Sequence, residues 1–464
     1  MVLNSTKTMK TIIPSTRIIN NIKSTVQAMA VIAGLVFPGI LHAQTTVTPP
    51  LQPEVPAQYA SLYKLMQQDL DAFTETLASG WNGSKSPMQF AGELYPATSV
   101  GGLKGPSSDY FQKTIIPYIN ALQAVGVKTV KFSINFPILY QPYYNSKAGA
   151  NNPAAYQQTL SFYQQVVAEL RKRGMKVIIP TQVAFPFEYP TITPYLQSLT
   201  FAQYCAGRST LAQTIASQLK PDYLMVQSEP VTEVENTPAN ISGPLGNMAT
   251  DVAMVTGILN DLKNAGLRSK TLLVGAGMGT WQPQFDDYLN SFVTLPMDIL
   301  DVHVYPINNF ISGAKTVDYL QRILQMADAA HAHGLRVGMG ECWVNKALNN
   351  ELSQGPYNAV IPSRNVYSFW EPIDQQFLMC MAAAGYCKKF DFIDPSETYY
   401  FFAHLDYYKM QPIIAGMSPQ DAADTLLDYE HTASTAAIAA GQTTSTGNYY
   451  SELIKDGNSS GTKP

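Results

Sequence analysis

The sequence predicts an α/β protein folded as a single TIM (β/α)8 barrel with an N-terminal helical extension, and three observations carry that reading. Short apolar runs alternate with longer stretches of helical periodicity, eight times along the chain. The runs are apolar throughout rather than at every second position, as strands buried on both faces must be. Several helical stretches end in a glycine just before the next run (Gly126, Gly174, Gly266, Gly334), where a left-handed helix cap is needed. An open doubly wound sheet is the competing arrangement. It is disfavoured because no glycine-rich phosphate turn follows the first strand.

Taken in order, Lys7, Lys10, Arg17 and Lys23 precede an apolar run from Val26 to Leu41 that ends "GILHAQ". A charged region, a short apolar core and a small residue at Ala43 have the layout of a signal peptide over 1–43. Pro38 and the shortness of the run argue against a stable spanning helix, although an uncleaved anchor is the alternative. Residues 44–58 form a proline-rich lead-in, and a helix is expected over Tyr59 to Ser79. The expected strands are "MQFAGEL" (88–94), "VKTVKFSIN" (127–135), "MKVIIPTQV" (175–183), "YLMVQSE" (223–229), "TLLVGAG" (271–277), "DILDVHVY" (298–305), "LRVGMGE" (335–341) and "KFDFIDP" (389–395). The barrel is therefore expected to span 59–446, with 447–464 as a tail that frays over "KDGNSSGTKP". No second domain or internal repeat is evident.

Composition narrows the function. With 46% apolar and only 14% charged residues, and no basic cluster, the chain does not read as disordered or as a nucleic-acid binder. Removing residues 1–43, which hold four basic and no acidic side chains, moves the formal charge from −4 to −8. Such a chain suits a neutral or cationic partner, and a monomer that is secreted or periplasmic is expected. The four cysteines (Cys205, Cys342, Cys380, Cys387) are too few for a disulfide scaffold and lack metal-site spacing. Cys380 and Cys387 would lie about 10 Å apart along a helix, too far to bridge unless it breaks at Gly385. "HAH" at 331–333 belongs to a helix end far from the expected barrel mouth, and no metal or organic cofactor is predicted.

In such a barrel the carboxyl ends of the strands share one face, and the active site is built there. Glu229 ends strand four and Glu341 ends strand seven, so both side chains are expected to reach one cleft. Two carboxylates about 5 Å apart suit a double displacement, in which one gives and takes a proton while the other attacks an anomeric carbon.

The motifs "QSEP", "DVHVYP" and "GECW" resemble those of the large clan of retaining (β/α)8-barrel glycoside hydrolases, which includes cellulases, mannanases and galactanases. The resemblance covers most of the chain in strand order, through short motifs. It implies Glu229 as acid/base, Glu341 as nucleophile, and His303 and Tyr305 as the strand-six pair near the nucleophile, with Tyr305 donating to Glu341. It implies an oligo- or polysaccharide substrate. The sequence departs from the clan at Ser228, where an asparagine that contacts the sugar is usual. A second departure is the end of strand two, where no arginine is found and Asn135 is the polar candidate.

Asp301 and His303 alternate and so share a face of strand six. Trp281, Trp343 and Trp370 follow strands five and seven and are expected as exposed sugar-stacking platforms. The segment from Trp343 to Trp370 is a candidate substrate-covering loop. Glu93, Glu188 and Asp394 are expected as hydroxyl-binding groups on the rim. Two other functions stay open: a carbohydrate-binding protein on a degenerate barrel, and an unrelated barrel enzyme such as a lyase or isomerase.

Overall fold

The computed structural model describes residues 54–98, 107–186, 191–269, 272–311, 315–347, 351 and 359–459. The expected signal peptide, most of the proline-rich lead-in, Glu188 and much of the segment between Trp343 and Trp370 lie outside them.

Eight strands close a parallel barrel: Gln89–Glu93, Thr129–Lys131, Lys176–Pro180, Tyr223–Met225, Leu273–Gly279, Ile299–Val304, Arg336–Cys342 and Phe392–Pro395. They pair in chain order, and strand eight returns to strand one through Gln89↔Phe392 and Phe90↔Ile393. Each coincides with a predicted apolar run, differing only at its ends. Gly126, Gly174, Gly266 and Gly334 all take positive φ, from 67° to 108°. These caps reverse the chain from helix into the next strand. An antiparallel hairpin, Asn308–Ile311 with Lys315–Asp318, is added after strand six.

The barrel interior is layered. Ala91, Ile178, Tyr223, Met225, Ile299 and Phe392 form an apolar floor of buried side chains. Because side chains two apart on a strand share a face, the next layer holds Glu93, Asp301 and Asp394. An apolar plug thus seals the lower barrel, and the acids sit just above it at the carboxyl ends.

Strand seven carries an irregularity that matters for the site. Against strand six, Asp301 pairs with Gly338 but His303 pairs with Glu341. Against strand eight, Ile393 pairs with Met339 but Pro395 pairs with Cys342. Both neighbours therefore see one extra residue, a β-bulge around Gly340. Gly340 already faces Asp301 inside the barrel, so strict alternation would turn Glu341 outward. The bulge resets the phase and lets Glu341 face inward as well.

The N-terminal helix Ala60–Gly80 packs on Glu371–Cys387, with the Thr74 hydroxyl 3.2 Å from Cys380 Sγ. The latter helix runs unbroken through Gly385, and all four cysteines are free thiols. The expected tail is corrected. Residues Ser445–Ser459 form a helix whose Tyr450 is fully buried and donates to the Ala91 carbonyl at 2.6 Å. Tyr450 holds it against strand one and Ile454 packs at Gly126, so the described part of this segment is docked on the barrel. No helix among the described residues is long and apolar enough to cross a membrane.

Candidate active site

Strand four ends at Met225, and Gln227, Ser228 and Glu229 continue it to the barrel mouth before Pro230 opens a helix. A buried ion network braces this corner. The Arg208 guanidinium pairs with Glu233 and donates to the carbonyls of Thr181 (3.1 Å) and Val226 (2.7 Å). Gln227 donates to Glu233 at 3.0 Å and to Asp251 at 2.9 Å. The ends of strands three and four and the turn bearing Glu229 are thereby tied to one cation.

Glu229 and Glu341 converge. One carboxylate oxygen of each and a ring nitrogen of His303 lie within 4.8 Å of one another. His303 Nδ1 is 2.7 Å from Glu229 Oε1 and 3.5 Å from Glu341 Oε2. At the same Glu341 oxygen the Tyr305 hydroxyl donates to Oε2 at 2.7 Å, and it lies 2.8 Å from Ser396 Oγ. Lys131, fully buried on strand two, donates to Glu341 Oε1 at 2.8 Å.

The electrostatics separate the carboxyl groups. Burial alone would raise the pKa of Glu341, but the Lys131 and His303 charges and two hydrogen bonds outweigh it and hold it at about 2. Lys131 also faces Glu93 at 3.2 Å and Asp394 at 3.5 Å. Burial raises the pKa of both these groups above the ordinary carboxyl range, despite the lysine. Of the three acids sharing Lys131, only Glu341 ionises more readily than usual. For Lys131, burial disfavours the charge, and the carboxylates of Glu341, Glu93 and Asp394 more than restore it.

Several predicted site residues take other places. Lys131, not Asn135, supplies the polar group of strand two; the Asn135 side chain accepts from the Gln182 amide at 3.1 Å and so joins strands two and three. Glu93 is buried between Lys131 and the Thr98 hydroxyl (2.6 Å), so it balances charge rather than waiting on the rim. Asp394 is likewise inside. Ser228 points its hydroxyl at Asp301 Oδ2, 2.6 Å away. Trp343 and Trp370 are fully buried: the first stacks on Tyr400 at 5.7 Å, the second on Tyr63 at 5.5 Å. They pack loops onto the barrel and offer no exposed platform. Trp281 is half-buried, set over Gly279 and edge-on to the Tyr305 ring at 5.8 Å. It is the tryptophan that adjoins the carboxylates.

Sequence reasoning missed Lys131 and Arg208. A lysine inside a strand buried on both faces has to be paired, and that signal was present in "VKTVKFSIN".

Glu229, His303 and Glu341 are also the one group of possible metal ligands among the described residues. The donors do not suit a dication. Both Glu341 oxygens are taken by Lys131 and Tyr305, and the ammonium sits 2.8 Å away. The arrangement fits proton chemistry beside a fixed carboxylate.

No family model matches the sequence, and no curated protein sequence does. Solved structures are similar at low identity. A GH1 β-glucosidase from the fungus Humicola insolens in complex with glucose is 10% identical, over 68% of this chain and 89% of its own, with a TM-score of 0.43. An exo-β-1,4-mannosidase from an Opitutaceae bacterium is 13% identical, over 80% of this chain and 60% of its own, at 0.47. A β-glycosidase from Pyrococcus horikoshii is 12% identical, over 67% and 84%, at 0.40.

Proposed function

We propose that this chain is an exported glycoside hydrolase that cleaves β-linked glycans with retention of anomeric configuration. One observation carries the proposal: carboxylates from strands four and seven bring an oxygen each within 4.8 Å of one another, and one of them is held ionised by a buried lysine together with His303. A direct attack by carboxylate needs the pair about 5 Å apart, whereas attack through an intervening water needs roughly 6.5–9.5 Å. Glu341 has the properties of the nucleophile, being ionised, aimed by two donors and shielded. Glu229 is the partner that protonates the departing oxygen and later takes a proton from water. Export rests on the pattern of residues 1–43 alone.

Ser228 favours the second reading, a binding protein on a degenerate barrel. Its hydroxyl is committed to Asp301 and does not take the place of a sugar-contacting asparagine. The other motive for that reading is the missing arginine at the end of strand two; the cation on that strand is the buried Lys131.

The test is hydrolysis of aryl β-glycosides and a panel of soluble glucans, mannans and galactans, with Glu341→Gln as control and the product anomer followed by NMR. The expected result is turnover with retention, lost in the control. Equal turnover by both proteins, or an inverted product, rejects the mechanism; binding without turnover selects the second reading.

A further inference from the structure

A fully buried carboxylate lies one layer below the catalytic pair. Asp301 has no exposed surface, and its Oδ1 has no hydrogen-bond partner among the described residues. The barrel makes room for it: a Cβ at Gly340 would stand 2.2 Å from Oδ1. Its Oδ2 accepts from Ser228 Oγ at 2.6 Å and lies 3.1 Å from His303 Nε2. The other ring nitrogen, Nδ1, faces Glu229 Oε1 at 2.7 Å. Four side chains thus form one line, Ser228–Asp301–His303–Glu229, that ends on the acid/base.

A buried carboxylate with an idle oxygen is costly unless a positive charge faces it. The imidazole is placed to supply that charge, because each of its nitrogens meets a carboxylate oxygen and can act as a donor. We propose that the proton delivered by Glu229 is shared with His303, and that Asp301, fixed by Ser228, is the positioning residue that makes the sharing work. The proposal rests on the glycosidase reading and deepens it.

Asp301 keeps a proton on Nε2. Nδ1 therefore always faces Glu229, either as N–H or as a bare acceptor, and one proton moves between Nδ1 and Glu229. In the first step Glu229 gives that proton to the glycosidic oxygen as the C–O bond breaks and Glu341 bonds to the anomeric carbon. In the second step water attacks that carbon and the bond to Glu341 breaks. The water proton returns to Glu229 and can pass to Nδ1. The titratable groups facing His303 are Glu229, Asp301 and Glu341. Lys131 and Tyr305 bear on it through the Glu341 oxygens.

The test uses the full chain with Asp301→Asn and Ser228→Ala. Each is assayed on a dinitrophenyl β-glycoside, whose leaving group needs no proton, and on an alkyl β-glycoside of the same sugar. For Asp301→Asn the alkyl substrate is expected to slow at least about tenfold more than the dinitrophenyl one. The basic limb of its kcat/KM profile is expected to move down by about one pH unit or more. Ser228→Ala should shift both readouts the same way by less. Equal slowing of both substrates with an unmoved limb makes Asp301 a packing residue and overturns the proposal.

The ring itself gives a readout independent of turnover. In long-range 1H–15N spectra of the wild type at about pH 8, His303 is expected to carry protons on both nitrogens. A ring that carries no proton on Nε2 overturns the proposal even in an active enzyme. A doubly protonated ring in a protein that hydrolyses no glycoside leaves the side-chain line intact and rejects the glycosidase reading instead. If Asp301→Asn does not fold, Ser228→Ala and the wild-type spectrum decide.

Discussion

At the scale of single residues, Lys131 does most to set the chemistry. Together with His303 and the Tyr305 hydrogen bond it holds Glu341 at about 2, against burial that works the other way. Replacing it by methionine keeps the side-chain volume but leaves Glu93, Asp394 and Glu341 with no lysine. Glu341 should then ionise only at higher pH, and the acidic limb of the kcat/KM profile should move up. The loss in kcat/KM at neutral pH is expected to be on the order of 10²–10³, the usual size for removing one preorganised charge contact. An acidic limb in Lys131→Met that coincides with wild type would remove the lysine from the mechanism. A companion prediction concerns the nucleophile: Glu341→Ala should be inactive on a dinitrophenyl glycoside and regain turnover with azide, giving an inverted glycosyl azide. No rescue, with the fold intact by circular dichroism, would assign the attack elsewhere.

At the scale of elements, the bulge in strand seven and the C-terminal helix carry the argument. Gly340 has no side chain because Asp301 occupies the space a Cβ would need. Gly340→Ala should therefore destabilise the protein by about 1–3 kcal/mol, the usual cost of overpacking a core. It should also lower activity beyond what the remaining folded fraction explains, since Asp301 must shift away from His303. Thermal melts together with active-site titration check this; wild-type activity per folded molecule would count against it. Tyr450→Phe tests the helix Ser445–Ser459: it leaves the Ala91 carbonyl without its tyrosine partner and should cost about 1–2 kcal/mol.

These same elements show what was legible beforehand. All eight strands were readable because burial on both faces makes each run mostly apolar, and four glycine caps marked where strands begin. The bulge was not readable, since it shifts the phase by one residue within a run that already looks uniformly buried. The convergence of Glu229 and Glu341 followed from strand order alone, but the inward turn of Glu341 depends on that bulge. Trp343 and Trp370 misled because position after a strand says which end of the barrel a residue occupies, not whether a loop folds back over it. Tyr400, from the turn after strand eight, is what covers Trp343.

At the scale of the whole molecule, the barrel holds several buried acids, and the shifts in their pKa predict how stability depends on pH. Burial raises Asp251 to about 7 and Glu397 to about 8, the latter helped by Glu93. A carboxyl whose folded pKa is raised contributes stability that is fully present below its unfolded value, near 4, and is lost as pH rises through the folded value. Glu341 and His404 are among the groups that act in the opposite sense. Glu341, at about 2, contributes stability above its unfolded value that is lost as pH falls. His404, lowered by burial and by Lys346 to about 3, loses its contribution as pH falls from its unfolded value, near 6.5. The melting temperature should therefore peak in mildly acidic solution and decline toward pH 8. Asp251 isolates one part of that decline. Its Oδ1 accepts from Gln227 at 2.9 Å while its Oδ2 has no partner among the described residues. Asparagine can keep the first contact and carries no charge to bury. Asp251→Asn should flatten the fall in melting temperature between about pH 4 and 7 and raise the midpoint at about pH 8 above wild type. Parallel curves for the two proteins would mean that Asp251 does not titrate in this window, and that the corner beneath Glu229 holds its charge without a stability cost.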